Sequence, residues 1–174
     1  MNKKIRIFTM VIAVMMCAAL SGCHVSYKFN GASIDYTKYR TASVGEFPIR
    51  AALVYAPLQQ LFELKLTNMI TRQPRLKIQD TPNTDLRIEG EITGYNLTPQ
   101  AVNDNAYASR TRLTITVRVK YIDNVNPDNE TDQTFSAYRD FDSSQMLTDV
   151  QDQLIEEICT DLSDLIFNAT FGNW

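Results

Sequence analysis

Along this 174-residue chain the spacing of hydrophobic positions changes several times, and each change predicts an element. The first feature is a run without a period. Ile7 to Leu20 is apolar except for Thr9, and Lys3, Lys4 and Arg6 precede it. A transmembrane helix needs about 20 apolar residues, so this run is too short to cross. Further on, residues 24–29 (HVSYKF) and 39–47 (YRTASVGEF) carry aromatic and β-branched residues on either side of Asn30-Gly31. That pattern predicts two short strands around a turn, the second ended by Pro48. The period then becomes helical: Leu58, Phe62, Leu66, Met69 and Ile70 form one stripe, with Gln59, Lys65 and Thr67 off it. Gln73-Pro74 closes this helix, because the residue before a proline is pushed out of the helical region.

Period-two alternation follows. Leu86, Ile88, Gly90 and Ile92 alternate with Arg87, Glu89, Glu91 and Thr93. From Arg112 to Ile122 the alternation is clearest, with Leu113, Ile115, Val117, Val119 and Tyr121 on one side and Arg112, Thr114, Thr116, Arg118 and Lys120 on the other. Phe135, Ala137 and Phe141 outline a third strand, and Leu76–Ile78 is a candidate for a further short one. The connector DNVNPDNETD (123–132) reads as a loop between antiparallel neighbours. The last element is a helix whose apolar stripe is Leu147, Leu154, Ile158, Leu162, Leu165 and Ile166, with Ile155 at its edge. Thr148 and Gln151 have the spacing of a capping box. Strands with one polar face need cover on the other face only, and two amphipathic helices supply it. The fold class expected is α+β, a two-layer sandwich.

The N-terminal run ends in Leu20-Ser21-Gly22-Cys23. Basic residues, a short apolar stretch and small residues before a cysteine make up a bacterial export signal with a lipobox. Residues 1–22 are therefore expected to be a removable lipoprotein signal peptide, leaving 23–174 as a single domain with Cys23 as the lipid-anchor residue. One acyl chain binds a membrane only marginally, and the two or more chains on such a cysteine give a stable anchor. His24, next in line, is not the Asp that commonly retains lipoproteins in the inner membrane, so the expected address is the outer membrane.

Without its signal the chain keeps 152 residues, enough for one core. Its 14 basic and 20 acidic residues give a net charge of −6, which argues against a nucleic-acid partner. Cys159 is then the one free thiol, expected to be a small buried hydrophobe on its helix rather than a reactive group.

Catalytic chemistry finds little support. His24 is the only histidine, so no triad is available within the fold. No zinc-type ligand spacing occurs, and the acidic connector lacks the oxygen-ligand pattern of a calcium loop. Glu89 and Glu91 share a strand face and resemble an acid/base pair, but a solvated face is the commoner meaning of that pattern. No cofactor and no enzymatic activity are expected. Arg112, Arg118 and Lys120 share one side of a strand, where guanidinium and ammonium groups suit glycolipid phosphates. The same alternation also describes a solvent face balanced by cross-strand pairing with Glu89, Glu91 and Arg87.

The segments DLRIEGEITGYNLTPQAV (85–102), RTRLTITVRVKYI (110–122), FSAYRDF (135–141) and LIFNATFGNW (165–174), following the lipobox and an early FNGASI, resemble in order and spacing the LptE family of lipopolysaccharide-assembly lipoproteins, in its short form. The resemblance covers almost the whole chain after Cys23. It implies two helices packed on one face of a mostly antiparallel four-stranded sheet. It also implies an outer-membrane lipoprotein that plugs the lumen of the LptD β-barrel in a one-to-one complex, and lipopolysaccharide as the transported ligand. A plug gives a role to aromatics with polar tips near loops and strand ends, here Tyr95, Tyr107, Tyr138 and Trp174. The second function class kept open is an anchored glycan- or lipid-binding module without a barrel.

Overall fold

The computed structural model describes residues 37–53, 55–72, 75–100 and 110–171. Seven regular elements follow in chain order: β1 (Thr41–Val44), α1 (Pro57–Thr71), β2 (Lys77–Ile78), β3 (Leu86–Gln100), β4 (Arg110–Asp123), β5 (Thr131–Asp142) and α2 (Leu147–Thr170). A single 3₁₀ turn, Pro127–Asn129, links β4 to β5. The strands make one sheet in the order β2-β1-β3-β4-β5. The strand expected at 24–29, the lipobox, Tyr107 and Trp174 lie outside the described residues.

The fold is α+β, but the sheet differs from the four mostly antiparallel strands expected. It has five strands and is mixed: β1 is parallel to both β2 and β3, while β3–β4 and β4–β5 are antiparallel. The cause is the helical crossover. α1 carries the chain from the end of β1 back to the starting end of the sheet, so β2 must run parallel to β1. Pro48 does not end the pairing either. Its carbonyl accepts from the Ile92 amide at 3.0 Å and Ile92 in turn accepts from the Arg50 amide at 2.8 Å, so the missing proline N–H costs no ladder bond.

β4 sits inside the sheet and alternates cleanly, with Leu113, Ile115 and Val117 fully buried and Val119 nearly so. On β3 the alternation breaks. The register shifts between Ile92 and Gly94, so the buried set passes from Leu86, Ile88 and Ile92 to Tyr95. A one-residue bulge of this kind exchanges the two faces of a strand beyond it. Gly90 has a different role. A Cβ there would lie 2.0 Å from the Arg118 carbonyl oxygen and 2.9 Å from the Phe47 ring. Phe47 therefore covers the sheet where a side chain cannot, and stacks edge-on against Phe62 of α1 with ring centroids 5.0 Å apart.

Both helices cover the apolar face. α1 buries Leu58, Phe62, Leu66 and Ile70, in agreement with its sequence stripe, while Met69 stays at the margin. α2 is rotated slightly from the expected stripe. Ile155, Cys159 and Ser163 are buried and Leu165 is 45% exposed, because the helix must face both α1 and β5 rather than a single neighbour. The expected capping box is absent: Met146 is the N-cap residue, with no side-chain cap bond. Gln151 instead donates to the Tyr95 hydroxyl at 2.7 Å, fastening the helix to the sheet.

Two aspartates fix the sheet's start. Asp85 accepts from the Arg40 and Thr41 amides and the Thr41 hydroxyl at 2.8–2.9 Å. The Arg40 amide bond in particular holds its carboxyl below the usual range. Asp123, 1% exposed, accepts from the Tyr39 hydroxyl, the Val125 and Asn126 amides and the Asn129 side chain. The loop expected from its Asp/Asn content is thus an Asx-type turn organised by its first residue.

Burial pushes the Cys159 thiol up to about 12, so almost no thiolate exists at neutral pH. A thiol-reactive probe such as Ellman's reagent is expected to leave Cys159 unmodified in the folded protein and to label it fully in denaturant. Rapid labelling under native conditions contradicts this packing.

Candidate functional site

The helix-free face of the sheet collects the polar positions of β3, β4 and β5. Arg112, Arg118 and Lys120 lie along β4 on this face, as strand parity requires. They do not converge. Six residues at about 3.3 Å each put Arg112 roughly 20 Å from Arg118. Arg118 and Lys120 line the same broad cleft of about 820 Å³, together with Arg87, Glu89, Glu91 and Asp132, whereas Arg112 lies outside it.

Both arginines are occupied. Arg118 makes a two-pronged bond to Asp132, at 3.0 Å from Nε and 2.6 Å from Nη2, and its other Nη stands 3.8 Å from Glu91. Arg112 grips Asp140 in the same way, at 2.7 and 2.9 Å, and its guanidinium carbon lies 3.7 Å from the centroid of the Tyr138 ring. The bond from each guanidinium holds its aspartate below the ordinary carboxylate range and raises the arginine in return. Lys120 differs: among the described residues it has no carboxylate within 4 Å, although it faces Glu89 and Asp132 in register. The face carries charge of both signs, almost all of it paired.

Glu89 accepts from Arg87 Nε at 2.8 Å, and Glu91 stands beside Arg118. Each glutamate therefore has a cation for a neighbour, and the two do not form a site of an isolated acid and base. Of the aromatics expected at an interface, Tyr138 is 50% exposed on β5, while Tyr95 is buried at 5% and belongs to the core. The bulge turned Tyr95 inward.

Sequence reasoning missed Asp132 and Asp140, the partners of the two arginines. β5 begins at Thr131 rather than Phe135, and its even-numbered residues share the face of the arginines. The parity of TDQTFSAYRDFD carries the signal, but Asp132 falls in the Asp- and Asn-rich stretch whose composition is that of a loop. Arg139 was missed as well. It faces the helices, donating to Glu157 at 2.8 Å and Asp161 at 2.6 Å, and these acids raise it well above its ordinary value, Asp161 most. It pins β5 to α2. No described helix is long and apolar enough to cross a membrane.

Comparison with known proteins places this geometry. Residues 39–170 match the family model LptE, described as lipopolysaccharide-assembly. Among solved structures, a minor lipoprotein from Acinetobacter baumannii aligns with a TM-score of 0.51 and 16% identity, over 78% of this chain and 94% of that one. A Xanthomonas campestris protein aligns with a TM-score of 0.57 and 13% identity, over 78% and 85%. At such identities these two structures show a shared fold. No curated protein matches the sequence. The matched span runs from just before β1 to the last residue of α2, covering every element described, and the chain belongs to the LptE lipopolysaccharide-assembly family.

Proposed function

We propose that this chain loses residues 1–22 on export, is acylated on Cys23, and acts at the outer membrane as the non-enzymatic plug and assembly partner of an LptD-type β-barrel. In this role it forms a one-to-one complex with the barrel and assists delivery of lipopolysaccharide to the outer leaflet. The observation that carries the proposal is the family match across the entire two-layer domain, preceded in sequence by Leu20-Ser21-Gly22-Cys23. Physical chemistry agrees with it. The lumen of a large membrane barrel is polar and wet, so a body placed there needs a polar surface rather than an apolar belt. The helix-free face supplies one, with cations and carboxylates in cross-strand pairs.

Ligand contact on this face follows from which cations are free. Phosphates of the glycolipid meet the Lys120 ammonium and the Arg110 guanidinium directly, whereas they reach Arg112 and Arg118 only by displacing Asp140 and Asp132. Exchange of one two-pronged partner for another suits a transient contact during transport better than tight storage.

Depleting the chain from its cells is expected to lower both the amount of correctly assembled barrel and the lipopolysaccharide displayed at the surface; normal levels of both would reject the proposal. For direct contact, Lys120→Glu is expected to weaken lipopolysaccharide binding by the purified protein roughly fivefold at low salt, the scale of one exposed charge. Binding that is unchanged, or equally strong to dephosphorylated lipopolysaccharide, removes Lys120 from the contact.

A further inference from the structure

β5 is the last strand of the sheet, and among the described residues nothing pairs with its outer edge. The Arg118 carbonyl turns toward β3, where it crowds Gly90, and the Tyr138 carbonyl accepts from the Arg139 side chain. Arg118 is opposite Thr134 in register. In an antiparallel ladder, residues alternate between facing one neighbour strand and the other. Asp132, Thr134, Ser136, Tyr138 and Asp140 therefore turn their N–H and C=O groups outward.

Proteins protect such edges with charge, proline, bulges or brevity. Here the strand is 12 residues long, and residues 133–138 (QTFSAY) contain neither charge nor proline. A hollow of about 580 Å³ adjoins this stretch, lined by Ala137, Tyr138, Arg139, Asp161, Asp164 and Leu165. Two half-exposed apolar groups flank it, Tyr138 on the outer face and Leu165 on the helix face. A strand laid along the edge would cover both, one with each side of its pleat. We propose that β5 accepts an extended segment of the barrel partner by strand addition, a proposal that rests on the barrel reading above.

The charge pattern selects the occupant. A second copy of this chain added antiparallel keeps like faces together, so in either register that superposes the uncharged stretches Asp140 falls opposite Asp132 or Glu130 of that copy. Carboxylates directly opposite are destabilising, an effect that the Arg112 and Arg118 pairs reduce but do not reverse, whereas a Lys or Arg opposite them would be favourable. On α2, Asp161 is taken up by Arg139, but Asp164 has no cation partner among the described residues and leaves one uncompensated carboxylate at the rim. The fitting segment is uncharged, β-forming and flanked by Lys or Arg.

The test is photo-crosslinking in cells, with a benzoylphenylalanine in place of Tyr138 in the full-length chain. The expected result is a covalent adduct with the barrel protein. Thr134→Pro, which removes an outward N–H, and Leu165→Asp, which removes the apolar shelf, should each reduce it at least tenfold. Thr134→Pro takes no bond from the β4 ladder, and thermal melting checks that the variant is folded; if it is not, Leu165→Asp decides. An adduct within the chain's own residues 24–29, an adduct with a second copy, no adduct, or a barrel adduct that both variants leave intact overturns strand addition. The depletion experiment reads the barrel role independently, so the two failures are distinguishable.

Discussion

The structure depends on the two-sidedness of β4. Its buried residues, Leu113, Ile115, Val117 and Val119, form the middle of the core, and its outward residues include Arg112, Arg118 and Lys120 of the candidate face. Both long strands take their register from it, and a slip of one residue would bury Arg118 and Lys120 while exposing the core. Burying an unpaired charge costs far more than any surface pair returns, so the hydrophobic layer alone determines where the polar face lies. The bulge on β3 and the close approach at Gly90 are adjustments around this fixed strand. Each lets a neighbour keep its own buried set against β4.

Once that register is set, the polar face is nearly self-neutral. Asp132 and Asp140 arrive from β5 beside the arginines, and Glu89 and Glu91 arrive from β3. These pairs are partly or largely exposed, so they contribute little to stability but much to character: the face is hydrated and can exchange partners. Among the described residues two cations of this face, Lys120 and Arg110 at the far end of β4, have no carboxylate within 4 Å. The helix side is different. There Arg139, Tyr55 and Lys65 fasten β5 to α2 and α1 to α2 through Glu157, Asp161, Asp152 and Glu156, so the two layers are joined by ion pairs and hydrogen bonds at the rim of the apolar core.

Most of this fold was legible in the chain because period is a direct record of burial. The stripe Leu58-Phe62-Leu66-Ile70 and the alternation from Leu113 to Val119 each recur unchanged in the folded protein. What escaped was set by distant partners. The parallel pairing of β1 depends on where α1 returns the chain, and no local pattern records that. Gln151 fits a helix cap by spacing, yet the Tyr95 hydroxyl offers it a buried partner. Whether Tyr95 faces an interface or the core is decided by the bulge, which leaves no mark in composition. Parity located Arg112, Arg118 and Lys120 on one face but said nothing of the carboxylates opposite, since those belong to a strand whose first residues resemble a loop.

The central claim, that this two-layer domain works inside a barrel rather than alone, is tested most directly by the native mass of the protein extracted from its membrane in mild detergent. The predicted result is a single species containing one copy of this chain and one copy of a large outer-membrane barrel, stable through purification. A lone monomer, recovered intact with its lipid and without any barrel, would contradict it.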